Sequence, residues 1–205
     1  LVSGLNKAER AMDRAGKKMQ AVGKNLTMKV TAPIVGMGAV AVNTFQGFEL
    51  QMAKVRAVSG ATGAEFEALS KNAKDLGAST IFSAKQVAEL QTEFAKLGFT
   101  AAEITQVTEA TLALAQATDS DLARAAEVAG STLRAFQLDA SETERVTDVM
   151  AKSFSTSALD METFAESMKY VAPVAKSAGM SIEETTAMLS VMANAGIKGS
   201  QAGTS

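Results

Sequence analysis

Apolar residues recur at alternating four- and three-residue steps at the start of the chain: Leu1, Leu5, Ala8, Met12, Ala15, Met19, Val22 and Leu26. This heptad spacing predicts a helix with one apolar stripe, the form of a parallel coiled-coil seam between copies. Gly4, Gly16 and Gly23 each weaken that helix by about 1 kcal/mol relative to Ala. The pattern then changes. From Val30 to Phe48 no residue is charged, a run long enough to reach the threshold for a membrane span. Its strongly apolar part stops at Val42, and Asn43, Thr44 and Gln46 follow. A packed helix therefore fits better than membrane insertion, which stays as the alternative. Pro33 stands where a first helical turn tolerates proline. Gly36-Met-Gly38 superficially matches a dinucleotide-binding glycine pattern, but nothing strand-like precedes it.

Beyond Thr62 the polar positions punctuate the chain. Thr62/Glu65, Ser83/Gln86, Thr100/Glu103, Ser141/Glu144 and Ser181/Glu184 have capping-box spacing, in which hydroxyl and N3 side chain satisfy each other's backbone amides. Asp121 and Asp160 stand at further helix starts. Gly77, Gly98, Gly179 and Gly196 stand where helices would stop, and three of them precede an apolar residue, as a Schellman ending requires. The pattern predicts helices over 33–58, 64–76, 84–97, 101–117, 121–136, 140–156, 161–178 and 182–195. The fold class is all-α: a heptad-patterned helix, then an array of short antiparallel helical hairpins. Three regions result: a basic amphipathic helix over 1–29, an apolar uncharged helix over 30–58, and a helical-hairpin module over 59–205. The stretch Gly196–Ser205 reads as a loop-like tail, cut rather than finished.

Helix starts near Ser83, Asp121 and Asp160 are 38 and 39 residues apart, and those near Thr100, Asp139 and Ser181 are 39 and 42 apart. Units of about forty residues would bury their apolar faces by stacking on one another. Side-chain identity between units is low, so ordinary helix and loop lengths account for the spacing equally well.

Composition narrows the chemistry. Of 205 residues 47% are apolar and 20% charged, enough for a real core and too apolar for a disordered chain. There is no Cys, His or Trp. That excludes disulfides, Cys/His zinc sites, thiol nucleophiles and every His-based triad. The remaining acids sit in first turns or at helix starts, as Glu183, Glu184, Asp119 and Asp121 do, where the helix dipole and free amides already explain them. No catalytic, cofactor-binding or metal site is expected. The eleven Met residues fall at helical spacing (Met150, Met180, Met188, Met192) and are expected to fill core. Tyr170 opens Tyr-Val-Ala-Pro173 inside a predicted helix that Pro173 should kink or end early. The formal charge of −2 gives no reason to expect sequence-specific nucleic-acid binding. It is unevenly spread: Lys7, Arg10, Arg14, Lys17, Lys18, Lys24 and Lys29 against Glu9 and Asp13 give residues 1–30 a net +5, leaving −7 for the rest.

Six phrases, in order, resemble the core region of tail tape measure proteins from long-tailed bacteriophages. They are Val30-Thr-Ala-Pro33, Phe48-Glu-Leu-Gln-Met52, Val58-Ser-Gly-Ala-Thr-Gly-Ala-Glu65, Leu76-Gly-Ala-Ser-Thr-Ile-Phe-Ser83, Tyr170-Val-Ala-Pro-Val-Ala-Lys176 and Ala193-Asn-Ala-Gly196-Ile-Lys-Gly199-Ser-Gln-Ala-Gly203. The resemblance implies a ruler: a helical, parallel homo-oligomer in the tail lumen, around which the tube polymerises and which leaves ahead of the DNA at infection. Its partners would be tail-tube and tail-tip proteins, with transient contact to the host membrane and assembly in the host cytoplasm. It implies no catalytic residue and no cofactor. Short capped helices nevertheless fit poorly with one straight helix, which would span about 300 Å over this length. A membrane-active segment or a helical-repeat adaptor are the alternatives.

Overall fold

The computed structural model describes residues 32–205; the predicted seam from Leu1 to Leu26 and the basic stretch 1–29 lie outside them. Among the described residues there are nine α-helices, one 3-10 turn and no strand. We number them α1 (Ala32–Ser59), α2 (Ala64–Ser79), α3 (Ala84–Lys96), α4 (Ala101–Thr118), α5 (Leu122–Phe136), α6 (Thr143–Thr156), α7 (Met161–Ser177), α8 (Ile182–Asn194) and α9 (Gly199–Thr204); the 3-10 turn Ala140–Glu142 leads into α6. No described helix is long and apolar enough to cross a membrane.

Residues Phe48–Ser205 form one unit. Its organisation follows from which helices touch. Besides chain neighbours, α2 packs on α4, α4 on α6 and α6 on α8, while α3 packs on α5, α5 on α7 and α7 on α9. The helices thus lie in two rows. Two row pairs run in the same sense: Arg124 and Glu162 pair between the first turns of α5 and α7, and Arg145 and Glu183 between those of α6 and α8. Row members α3, α5, α7 and α9 begin at Ala84, Leu122, Met161 and Gly199, steps of 38, 39 and 38 residues.

Buried positions recur at helical spacing. Val87, Leu90 and Phe94 of α3 are buried at three- and four-residue steps, as are Ala129, Leu133 and Phe136 of α5 and Ile182, Thr185, Leu189 and Ala193 of α8. Helix α4 touches α2, α3, α5 and α6 and buries a face running from Ile104 through Val107 and Leu112 to Ala115. Threonines inside these faces satisfy themselves: Thr108 and Thr111 donate to the carbonyls of Ile104 and Val107 at 2.5 and 2.8 Å. In α1, Phe48, Met52 and Val55 are buried, and Gln51 donates its amide to Thr92 Oγ1 of α3 at 3.0 Å. Gln91 of α3 donates to Leu69 O and Asn72 Oδ1 of α2.

The caps explain where the helices stop and start. Ser83, Thr100 and Ser181 form the expected capping boxes, Asp160 forms one with Thr163, and Asp121 accepts from the amides of Ala123 and Arg124. Gly98, Gly179 and Gly196 have φ near +80°. The following amides of Phe99, Met180 and Ile197 reach back to Phe94, Ala175 and Met192, closing Schellman turns. Two expected boxes fail. Gly63, with φ 53°, takes the cap position before α2 and Thr62 contributes only its carbonyl. The Ser141 box is replaced by the 3-10 turn, which puts Asp139 in the extended position before it. Gly77 does not end α2, which runs to Ser79. Pro173 does not end α7, which runs to Ser177. The tail read as a loop contains α9, packed on α7. Met188, expected in the core, is 57% exposed.

One ending uses an unsuited residue. Gln137 closes α5 at φ 55°, with the Leu138 amide bonded to Leu133 O. A side chain in that region costs about 1 kcal/mol or more that glycine avoids. Gln137→Gly is therefore expected to stabilise the protein by about 1 kcal/mol, read as a higher urea midpoint at unchanged m-value.

Candidate interaction surface

The acids that remained as candidate catalysts are all engaged in architecture. Asp121 caps α5, Glu184 completes the Ser181 box and Glu183 pairs with Arg145. Asp119 occupies the left-handed position that ends α4, a conformation short polar side chains tolerate. Among the described residues no group of carboxylates is arranged to hold a metal ion.

What the surface carries instead is a set of polar clasps between successive units. Arg124 donates from Nε to Glu162 Oε1 at 2.8 Å, from Nη2 to Glu162 Oε2, and from Nη1 to Glu127 at 2.8 Å. Arg145 joins Glu142 and Glu183. Arg134, near the end of α5, donates to the carbonyl of Gly98 at 3.2 Å and lies 4.1 Å over the Phe99 ring, so it covers the C-terminal end of α3. Asn194 accepts the Ala158 amide at 2.8 Å across a further pair of units. These arginines carry no motif in the sequence. For Arg124 and Arg145 the signal available was the 38-residue offset that places an Arg and a Glu on equivalent turns of neighbouring units.

The electrostatics of the clasps and caps fix a pH dependence. The Glu103 carboxyl lies below its ordinary value because it accepts the Thr100 backbone amide, with Arg134 adding to the effect against partial burial. Asp160 is lowered chiefly by the Thr163 amide. For Glu183 burial pushes upward, but its own backbone amide together with Arg145 and Ser181 outweighs it and the net shift is downward. Carboxyls lowered in the folded state contribute stability that is complete above their unfolded values, near 4.5 for Glu and 3.8 for Asp, and lost as pH falls through the folded ones. Stability to heat should therefore fall below about pH 4.5. Glu103→Gln keeps the capping geometry without the charge and should flatten part of that slope between pH 5 and pH 3 (both about).

The residues singled out by family phrases divide in two. Gly196 and Gly199 take positive φ on either side of the turn into α9. Gly203, which sequence reasoning gave no role, lies so close to α7 that a Cβ there would be 2.5 Å from Ser167 O. This glycine-rich phrase is thus a seat for α9 on α7, where Ser167 Oγ also donates to Gly199 O at 2.9 Å. Pro33 lies in the first turn of α1 and Pro173 along the α5–α7 groove. Tyr170 is half exposed, and Val174, Met188 and Val191 of α7 and α8 are exposed apolar residues.

A family model described as phage-related minor tail protein matches residues 70–205. The chain is 43% identical over 189 residues to the tape measure protein of Pneumococcus phage Dp-1, covering 92% of this chain and 16% of that protein. It is 34% identical over 209 aligned residues to the probable tape measure protein of Escherichia phage P2, covering 96% of this chain and 26% of that protein. The chain thus spans about a quarter or less of the length of these relatives. No solved structure matches.

Proposed function

This chain belongs to the phage-related minor tail protein family, and from that premise we propose that it is a folded module of a tape measure protein. In this reading the parent protein sets tail length by templating tube assembly, and the module serves it structurally rather than catalytically. Tail-tube and tail-tip proteins are its partners and the tail lumen its place in the virion. The heptad stripe from Leu1 to Leu26 joins copies in parallel, and the assembly leaves the tail with genome ejection.

The observation that carries the reading is the continuous similarity to two tape measure proteins, which extends over more than nine-tenths of the chain. The two-row array adds a refinement. Capped helices of 13 to 18 residues with buried faces hold their length folded back, so this stretch supplies little reach to a ruler.

Deleting residues 122–160 in frame from the parent gene removes α5, the 3-10 turn and α6, one step of each row. As extended helix these residues would shorten the tail by about 60 Å. As a stacked unit they account for about 10 Å, one interhelical distance. Electron microscopy of tails should show lengths changed by no more than the smaller figure, or a loss of assembly or ejection. A shortening near the larger one would place the region in the extended ruler.

A further inference from the structure

The row formed by α2, α4, α6 and α8 ends differently on its two sides. At one end α2 turns Glu67, Lys71 and Asp75 to solvent, the last two paired with each other. That is the polar outer face of a terminal member in a stacked array. Helix α8, at the other end, has the surface of an interior member. Helix α6 meets α8 along Asp148, Val149, Lys152, Ser153 and Thr156. With the first residues Thr143 and Ile182 aligned, these positions correspond to Ala187, Met188, Val191 and Met192 of α8 and to Ala195 at its C-cap. All are apolar and follow the three- and four-residue steps of one helix face. Met192 is half-buried; the others are exposed, Val191 at 70%. The face with which α6 holds the next row member thus recurs on α8, more apolar and, among the described residues, uncovered.

The second row leaves a matching place open. Gly199 of α9 stands against Glu166 and Gly203 against Ser167 and Tyr170, so α9 advances along α7 in the same sense. It spans six residues, where α3, α5 and α7 span 13, 15 and 17. One turn beyond Tyr170 on α7, Val174 is 67% exposed, where a longer α9 would lie.

We propose that this surface seats a further helical hairpin of the same polypeptide: α9 prolonged over Tyr170 and Val174, then a helix laid along α8 over Ala187, Met188, Val191 and Ala195. The inference rests on the reading of this chain as a module of a longer tape measure protein. The two relatives have the length to supply such a hairpin, since the chain covers only 16% and 26% of them. A segment leaving α9 is tethered beside the α8 face and meets it at an effective concentration that a separate partner lacks. The arriving helix is apolar on the side that meets α8 and basic in its first turn. There it faces Glu184, which holds the third helical position where α5 and α6 carry Arg124 and Arg145. The charge of the clasp is reversed, so a Lys or Arg takes the place that Glu162 and Glu183 fill in α7 and α8.

The chain has no cysteine, so a single introduced thiol reports its own exposure. Val174→Cys, Val191→Cys and, on the polar end, Lys71→Cys are each placed in this chain and in the parent protein, and native-state maleimide labelling is timed. In the 205-residue chain all three should react at similar rates. In the parent, Val174→Cys and Val191→Cys should slow by about tenfold or more while Lys71→Cys keeps its rate. Deleting from the parent the stretch of about 45 residues after Ser205, one hairpin, should restore both fast rates. Similar labelling of all three in the parent overturns the proposal, as does protection that survives the deletion. Protection already present in the 205-residue chain and rising with its concentration overturns it too, giving the face to a second copy. Labelling needs no assembled tail: a parent that protects both thiols yet sets no tail length refutes the function proposed above and leaves this inference standing.

Discussion

Phe94→Ala is expected to destabilise the protein by about 3–5 kcal/mol, the cost of removing a fully enclosed aromatic ring and leaving its cavity. Phe94 is wholly buried and meets Phe99 edge to face at 5.3 Å between ring centres. The close passage of α5 explains why the cavity would persist: a Cβ on Gly130 would already lie 3.3 Å from Phe94 and 2.7 Å from Leu97. Backbone that near cannot collapse further into the space. A protein of this size has a total stability of about 5–15 kcal/mol, so the variant should be partly unfolded well below the wild-type urea midpoint. Val191→Ala, on a side chain 70% exposed, is the matched control and should shift the midpoint by no more than about 0.5 kcal/mol. A loss for Phe94→Ala no larger than the control's would mean that α3 is not packed as described.

Gly77→Ala is the second large effect, and its direction runs against helix propensity. Gly77 lies inside α2, where alanine would ordinarily gain about 1 kcal/mol. A Cβ there, however, would come within 2.6 Å of Ala84 Cα and closer still to its amide nitrogen. The obstacle is the backbone that opens α3, directly behind the Ser83 capping box, so no rotamer change relieves it. Either the α2–α3 corner opens, releasing the Thr80 hydroxyl and amide from Leu76 O, or the cap on α3 is lost. The expected net cost is about 2–3 kcal/mol, measurable as a fall in midpoint and as loss of amide protection across Thr80–Gln86. A stabilised Gly77→Ala protein would show that propensity, not close approach, decides this position.

Gly77 also marks how far the sequence could be read. Its role depends on Ala84, whose position is set by a turn of six intervening residues, whereas glycine near a helix end ordinarily signals a stop. Gly98, Gly179 and Gly196 were legible because their requirement is local, a positive φ followed by one apolar residue. The caps Ser83, Thr100, Asp121, Asp160 and Ser181 were legible for the same reason. At Ser141 two local solutions competed, and the 3-10 turn from Ala140 displaced the box. The α9 helix was invisible because its stability comes from α7: six residues with two glycines have little helical tendency alone. The clasps of Arg124 and Arg145 were illegible one by one, since an Arg and a Glu 38 residues away pair only once the stacking distance is known. Family resemblance came partly from phrases that form turns and seats, such as Gly196 to Gly203, and partly from helix interiors such as Phe48–Met52 and Tyr170–Lys176.

The two-row arrangement has a mechanical consequence. Among the described residues, every pair of helices in extensive contact is separated by at most one other helix along the chain. The stack therefore behaves as a zipper, not a knot: tension applied at one end loads only the last two or three helices. Each pair that peels away carries off its own caps and leaves the next pair's intact. Extension would proceed in discrete steps, and because no distant segment must be found again, refolding after release would retrace them locally and quickly.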